Sequence, residues 1–496
     1  MNKYKATLCL MLAGLLAICG APSIAQTGDR ENIILGRPSN DSIVVHVLVD
    51  DGIGVFAEFG ETAGRYTDRT GVVESTLDGT AEVLIDGLQA DTRYFYRLSY
   101  QSPDDSSVDS GEEHSFHTQR AAGSTFSFGV QGDSHPERPG NMYHPGLYVR
   151  TMEQVARDQP DLYFMLGDDF SISGLMLDFF QGDKEALNQR VVDDVYLNQR
   201  QFLGVMANST ALFPVNGNHE EARGHFLGTS LHDVSVFAGR ARTRFFPLPA
   251  PDAFYTGNPE PVPGVGLLRD YFAFTWGDAL FVTIDPYWHS PVPVGFSGSG
   301  GMGMGAGPDR REIDEEWAEL TTRAEDRWAS SMGDAQYQWL RTTLAESDAR
   351  YKFVFAHHVL GVGRGGIERA RDYEWGGYGA DGSWEFDERR PGWELPVHQL
   401  MVTHGVTIFF QAHDHLFARQ ELDGVVYQSV PNPADDTYTG RNKDAYLSGD
   451  VLDNSGYLNV TVSPERLQVD YIRSYLPEDE SAERQHGEVA YTYTIQ

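Results

Sequence analysis

At 496 residues the chain is too long for one ordinary domain, and two or three are expected. Its formal charge of −34 repels nucleic acid and anionic membrane surfaces at long range, so duplex binding is not expected and an anionic substrate must meet a local positive centre. Both cysteines, Cys9 and Cys19, fall near the start of the chain, which leaves the remainder without a thiol or a disulfide.

Lys3 and Lys5 precede an apolar run at 6–18, and Ser23-Ile24-Ala25 has the small-x-small pattern of a cleavage site. Residues 1–25 are therefore expected to be a secretory signal, too short and weakly flanked for a stable membrane anchor, with the rest secreted or periplasmic. Ile18 is a poor residue before a lipidated cysteine, so cleavage after Ala25 is favoured over lipidation of Cys19. Removing Lys3 and Lys5 takes the formal charge from −34 to −36.

Residues 26–121 read as a β-sandwich. Apolar runs at 42–49, 55–59, 81–85 and 93–100 are separated by Gly and Asp at the spacing of short antiparallel strands. In LIDGLQADTRYFYRLSY (84–100), Leu88, Thr92, Tyr94 and Tyr96 are placed as in a fibronectin type III strand entry, with Tyr94 as the tyrosine-corner residue. EEHSFHTQ (112–119) resembles the closing strand of such a module. His114 and His117 are expected on its surface, with no catalytic cluster.

After Gly123, apolar runs at 126–130, 162–166, 211–215, 280–284, 352–356 and 406–412 alternate with helical stretches, which favours an α/β sheet buried on both faces. Asp334 can cap a helix carrying Tyr337, Leu340 and Leu344 on one face. Val397, Leu400, Met401 and His404 share a face of another that Gly405 stops. His404, in a last helical turn, needs no metal to explain it. Two segments lack a regular pattern: 224–266, rich in Pro and Gly, and GFSGSGGMGMGAGP at 295–308. The second has no Gly-Lys-Ser/Thr ending and reads as a flexible loop or lid near the site, not a nucleotide cradle.

The chemistry lies in the residues at the ends of the apolar runs. The first run leads into QGDSH, with Asp133 and His135, and the second into GDD, with Asp168. The third leads into NGNHE, with Asn218, His219 and Glu220. The run at 352–356 leads into His357 and His358, and the one at 406–412 into His413 and His415. Open α/β sheets bind ligands at the carboxyl ends of their strands. Each ending alone is more often a turn aspartate or a satisfied histidine; five in series point to one shared metal site.

This series resembles the calcineurin-like metallophosphoesterases over about residues 125–430, and the preceding sandwich makes the layout similar to purple acid phosphatases. The resemblance implies a two-sheet α/β/β/α sandwich at 122–496, behind an all-β fibronectin type III-like domain at 26–121. It implies two metal ions: Asp133, His135 and His415 on the first, Asn218, His357 and His413 on the second, and Asp168 bridging both. Asp414 would then lie behind the ligands or toward solvent. The donor mix suits divalent or trivalent iron, zinc or manganese.

Three departures stand out. Ser171 occupies the place of the metal-binding tyrosine of purple acid phosphatases, His135 supplies a ligand they usually lack, and Ala412 replaces the usual Gly before His413, a strain if that position has positive φ. The implied activity is hydrolysis of phosphomonoesters by in-line attack of a hydroxide bridging the metals. His219 would be the general acid, with Glu220 orienting it. A phosphodiesterase or nucleotide hydrolase of the same superfamily is the nearest alternative. A non-catalytic binding protein that retains the site is a more distant one. His358, Arg364 and Arg369 either face substrate or are ordinary packed and surface residues.

Overall fold

The computed structural model describes residues 32–102, 107–180, 186–229, 232–294, 322–359 and 363–496. The expected leader at 1–25 and the glycine-rich segment at 295–308 lie outside these.

Two sheets face each other. In the first, Ala211–Pro214, Leu162–Met165 and Phe126–Gln131 run parallel, and the antiparallel strands Gly456–Val462, Leu467–Arg473 and Val489–Ile495 extend it. In the second, Ala279–Thr283, Tyr351–Phe355, Ile408–Gln411 and Val425–Ser429 form the parallel centre, flanked by Phe272–Trp276 and Phe417–Leu422. Even in these continuously apolar strands the side chains divide with period two. Phe128, Phe164, Phe213, Phe281, Phe355 and Phe410 turn inward, where Phe164 stacks on Phe355 with centroids 4.1 Å apart and Phe128 meets Phe281 edge-on at 5.0 Å. Tyr163, Met165 and Leu212 turn outward onto Tyr148, Met152, Tyr196 and Leu203 of the helices Pro145–Asp158 and Gln189–Ala207. On the far side, Val282, Val354 and Phe409 meet Tyr337, Leu340, Leu344, Leu400 and Met401. The result is the four-layer α/β/β/α arrangement expected.

The N-terminal region is a two-sheet β-sandwich. Ile33–Gly36, Ile43–Leu48 and Thr80–Ile85 form one sheet; Gly54–Gly60, Arg93–Gln101 and His114–His117 carry the other. The Tyr94 hydroxyl accepts a hydrogen bond from the Gln89 N–H at 3.0 Å, tying the strand entry back to the preceding turn. Its apolar core runs without a break into that of the α/β region, and strand Ile33–Gly36 packs on strand Ala211–Pro214 and helix Gln189–Ala207.

Two expectations change. The segment at 224–266 contains a full α-helix, His232–Phe245, which buries Val234, Ala238, Ala241 and Phe245. That stripe has helical spacing; the Pro- and Gly-rich flanks obscured it. Helix Asp334–Glu346 is capped by Gly333, not Asp334, whose carboxylate accepts from Trp393 Nε1 at 2.7 Å. Three C-terminal strands beyond residue 430 also belong to the first sheet, within the span 122–496 expected for this domain.

Candidate metal centre

Both parallel sheet centres end at one edge, and the five motif loops leave from those ends. The loops are tight. His135, Asp168, His413 and His415 all have positive φ, at 49°, 59°, 66° and 53°. Such backbone is costly for residues with a Cβ and persists where surrounding structure holds it. Ala412 carries no positive φ, so the replacement of Gly there brings no strain of that kind; the strain sits on the two histidines beyond it. At Gly217 an added Cβ would lie 2.3 Å from Asp168 Oδ1, so only glycine lets the NGNHE loop close on the aspartate.

The sequence-predicted residues come together. Asp133 Oδ2 is 2.9 Å from His415 Nε2 and 3.5 Å from His135 Nε2, and the two imidazole nitrogens are 3.1 Å apart. Asp168 Oδ2 is 3.2 Å from His357 Nε2, which is 3.2 Å from both His413 Nδ1 and Asn218 Oδ1. Asp168 Oδ2 also lies 3.8 Å from His135 Nε2, and Asp133 Oδ2 lies 3.9 Å from His357 Nε2. Both carboxylates therefore stand between the two histidine groups. Asp133, His135, Asp168 and His357 are no more than 1% exposed.

The donor set fits metal ions. His135 points Nδ1 at Glu137 Oε1 (2.9 Å), and His357 points Nδ1 at the Leu166 carbonyl (2.7 Å). This is the way a ligating imidazole spends its far nitrogen. The near nitrogens then turn lone pairs toward other lone pairs. Ligands held 2.0–2.1 Å from a tetrahedral ion lie roughly 3.3 Å from each other, close to the 3.1 and 3.2 Å found here. Groups drawn from Asp133, Asp168, His357 and His413, and from Asp133, His135 and His415, each converge tightly enough to hold an ion.

Without a cation the cluster balances its charge with protons. Burial disfavours every charged form, yet Asp133, Glu137 and Asp168 outweigh it at His135 and raise its pKa to about 9. At His357 the two aspartates likewise overcome burial and raise it to about 10. Burial keeps His415 neutral, its pKa lowered to about 4. Burial alone would raise both aspartates, but the surrounding imidazoles hold Asp133 and Asp168 well below the usual carboxylate range.

His219 does not join either group but stands at its edge, with Nε2 3.9 Å from Asp168 Oδ2. Its neighbours correct the expectation for Glu220. That carboxylate accepts from the N–H groups of Asp168, Asp169, Phe170 and Gly217 at 2.7–3.0 Å, and it locks the GDD loop to the NGNHE loop. His219 is oriented instead by Ser173, whose Oγ lies 2.9 Å from Nδ1 and donates to Glu221 at 3.0 Å. On the other side an Arg138 Nη2 lies 3.2 Å from Nε2. The guanidinium must donate, so the Nδ1 proton belongs to the bond with Ser173.

Asp414 is buried behind the ligands, not in solvent; it accepts from Gly365 N–H, Tyr446 and Arg364. His358 is a packed histidine, bonded through Nδ1 to the Tyr287 hydroxyl and stacked on His413 at 4.7 Å. Arg369 pairs with Asp372 at the surface. Glu137, Arg138, Ser173, Glu221 and Tyr287 were not found from sequence. Tyr287 follows the apolar run at 280–284, to which no ligand was assigned.

No protein-family model matches this sequence, and no curated protein matches it. Solved structures do. That of PhoD aligns with a TM-score of 0.62 and 14% identity, covering 94% of this chain and 89% of that one. That of purple acid phosphatase PPD1 from yellow lupin (Lupinus luteus) seeds aligns with a TM-score of 0.54 and 15% identity, covering 94% and 74%. The chain thus shares the fold of these two structures, a mixed α/β sandwich behind a β-rich N-terminal region.

Proposed function

We propose that this protein is a metal-dependent phosphatase, with phosphomonoesters as substrates and two transition-metal ions at the strand ends. The observation that carries it is the convergence of two buried carboxylates and four imidazoles at one site, in a fold shared with PhoD and with a structure named as a purple acid phosphatase. Asp133, His135 and His415 would hold one ion, Asn218, His357 and His413 the other, and Asp168 would serve both. Bound there, the ions would polarise the phosphoryl group and provide a water acidic enough to attack it near neutral pH.

The protein's own residues position the reaction. Glu137 and the Leu166 carbonyl fix which nitrogens of His135 and His357 face inward. Glu220 holds the backbone that presents Asp168. Burial keeps His219 uncharged, its pKa lowered to about 4. A dianionic ester brought against Nε2 favours the imidazolium, and that form can pass a proton to the departing oxygen.

The N-terminal region is proposed to be a fibronectin type III-like module, supported by the Tyr94 corner. Export is proposed from the leader pattern; among the described residues no helix is long and apolar enough to cross a membrane.

The test is a panel of aryl phosphomonoester, bis-aryl phosphodiester and nucleotides, assayed with added iron, zinc or manganese. Monoester turnover well above diester turnover is the expected result. Reversed preference would move the assignment to a diesterase, and a metal-loaded protein that hydrolyses none of them would remove it.

A further inference from the structure

We infer that Arg138 receives the charged, non-bridging oxygen of a phosphomonoester and thereby sets the preference for monoesters over diesters; this rests on the phosphatase reading above. Among the described residues three arginines flank the cluster, and they differ in what already holds them. Arg223 is buried beside the Glu221 carboxylate at 3.0 Å and donates to the Asn218 carbonyl. Arg364 is 3.2 Å from Asp414 and also donates to the His413 carbonyl. Both are occupied in holding loops.

Arg138 differs. Its Nε lies 3.1 Å from Glu137, a carboxylate already drawn to His135 at 2.9 Å. Among the described residues its two terminal nitrogens meet only neutral acceptors, Met142 Sδ at 3.2 Å and His219 Nε2 at 3.2 Å. These are weak partners for a guanidinium, whose fork matches phosphate oxygens far better. The side chain is 30% exposed, so a ligand can reach it. Its backbone is pinned: the Arg138 N–H donates to the His135 carbonyl, and the Arg138 carbonyl accepts from Asn141 and Met142. The charge is therefore held ready at the edge of the cluster, one residue contact from Asp168.

A monoester at pH 7 carries a charge near −2, and its free oxygens outnumber those of a diester. With two oxygens engaged at the cluster, a monoester still offers an anionic oxygen where a diester carries a second ester group. Transfer of Arg138 from His219 to that oxygen would also release His219 Nε2. In a chain of formal charge −34, such a fixed positive group matters more than it would on a neutral surface.

The experiment compares full-length, metal-loaded wild type with Arg138→Gln and Arg138→Lys. It reads kcat and KM for nitrophenyl phosphate and bis(nitrophenyl) phosphate, the affinity for inorganic phosphate by calorimetry, and metal content. Arg138→Gln should lower monoester kcat/KM about 10- to 100-fold, mainly through KM, the range for losing a hydrogen bond to a charged group. Phosphate affinity should fall by a similar factor, diester turnover by less than about twofold, and metal content not at all. Arg138→Lys should recover part of the loss. Equal losses on both esters, unchanged phosphate affinity, or loss of metal would overturn the inference. Should wild type hold metal but cleave neither ester, the phosphatase reading falls, and the phosphate titration alone decides the role of Arg138.

Discussion

Arg200, at the seam between the N-terminal sandwich and the α/β region, is fully buried and faces no carboxylate among the described residues. It donates to Asn32 Oδ1 (2.8 Å), the Asn32 carbonyl (3.0 Å), His46 Nδ1 (3.0 Å), the His46 carbonyl (3.2 Å) and the Phe245 carbonyl. His46 in turn sets its Nε2–H on the Arg244 carbonyl at 2.8 Å. His357, at the strand ends, is buried equally deeply, but its inward nitrogen meets another imidazole, an amide oxygen and a carboxylate. The seam is complete in itself, each donor matched to an acceptor. The strand-end cluster gathers carboxylates and imidazole nitrogens whose charge is balanced by protons on His135 and His357, or by the cations proposed above. Buried charge at the first location holds two regions together; at the second it is a receptor.

The largest expected effect lies at the receptor. Asp168→Ala should cut hydrolysis by at least about 10³-fold and reduce bound metal, because one carboxylate faces both histidine groups. Elemental analysis alongside the assay checks it; a variant that keeps its full metal and its rate would show that Asp133 alone does the joining.

The seam should fail differently. Arg200→Met takes a donor away from five acceptors, of which the Asn32 carbonyl keeps the Leu48 N–H, and should cost about 3–5 kcal/mol of stability in urea unfolding, while the folded fraction retains metal and activity. For the same reason a chain beginning at Ala122 should not fold, since it would lose Asn32, His46 and the apolar face continuous with Phe213. A loss under about 1 kcal/mol would mean the seam contributes little.

The smallest effect is in pH dependence: the alkaline decline belongs to the cluster, whereas the acid decline of His46 at the seam is shared by His219 and His415 at the strand ends, both lowered to about 4. In the metal-free protein His135 and His357 are raised from 6.5 to about 9 and about 10. Their contribution is full below pH 6.5 and is lost as pH rises through 9 to 10. Burial and Arg200 lower His46 to about 3, so the seam is fully stable above pH 6.5 and weakens as pH falls toward 3. Metal binding displaces the two cluster protons and should flatten the alkaline decline only. Thermal unfolding of both forms across pH 4–10 reads this; an alkaline decline equal in both would dissociate it from the cluster.

The five-motif series was legible in the chain because a metal ligand at a strand end is announced by its covalent neighbours, an apolar run that ends at once in Asp, Asn or His. The strands that run 126–130 into Asp133 and 406–412 into His413 need only that local signal; the runs alone favoured a sheet buried on both faces, and the four α/β/β/α layers were implied by the resemblance. The supporting residues carried no such mark. Glu137 and Arg138 sit in a polar loop that reads as surface, and Glu220 looked like the partner of His219 because it is next in sequence. The fold points Glu220 at four backbone N–H groups and brings Ser173 to the histidine from 46 positions away. Arg200 reaches His46 across 154 positions, and nothing near either residue in the chain anticipates it. Ligand identity is a property of short segments at strand ends. Orientation, protonation and the joining of the two regions depend on which distant donors and acceptors packing brings within hydrogen-bond reach, and only the tertiary structure decides that.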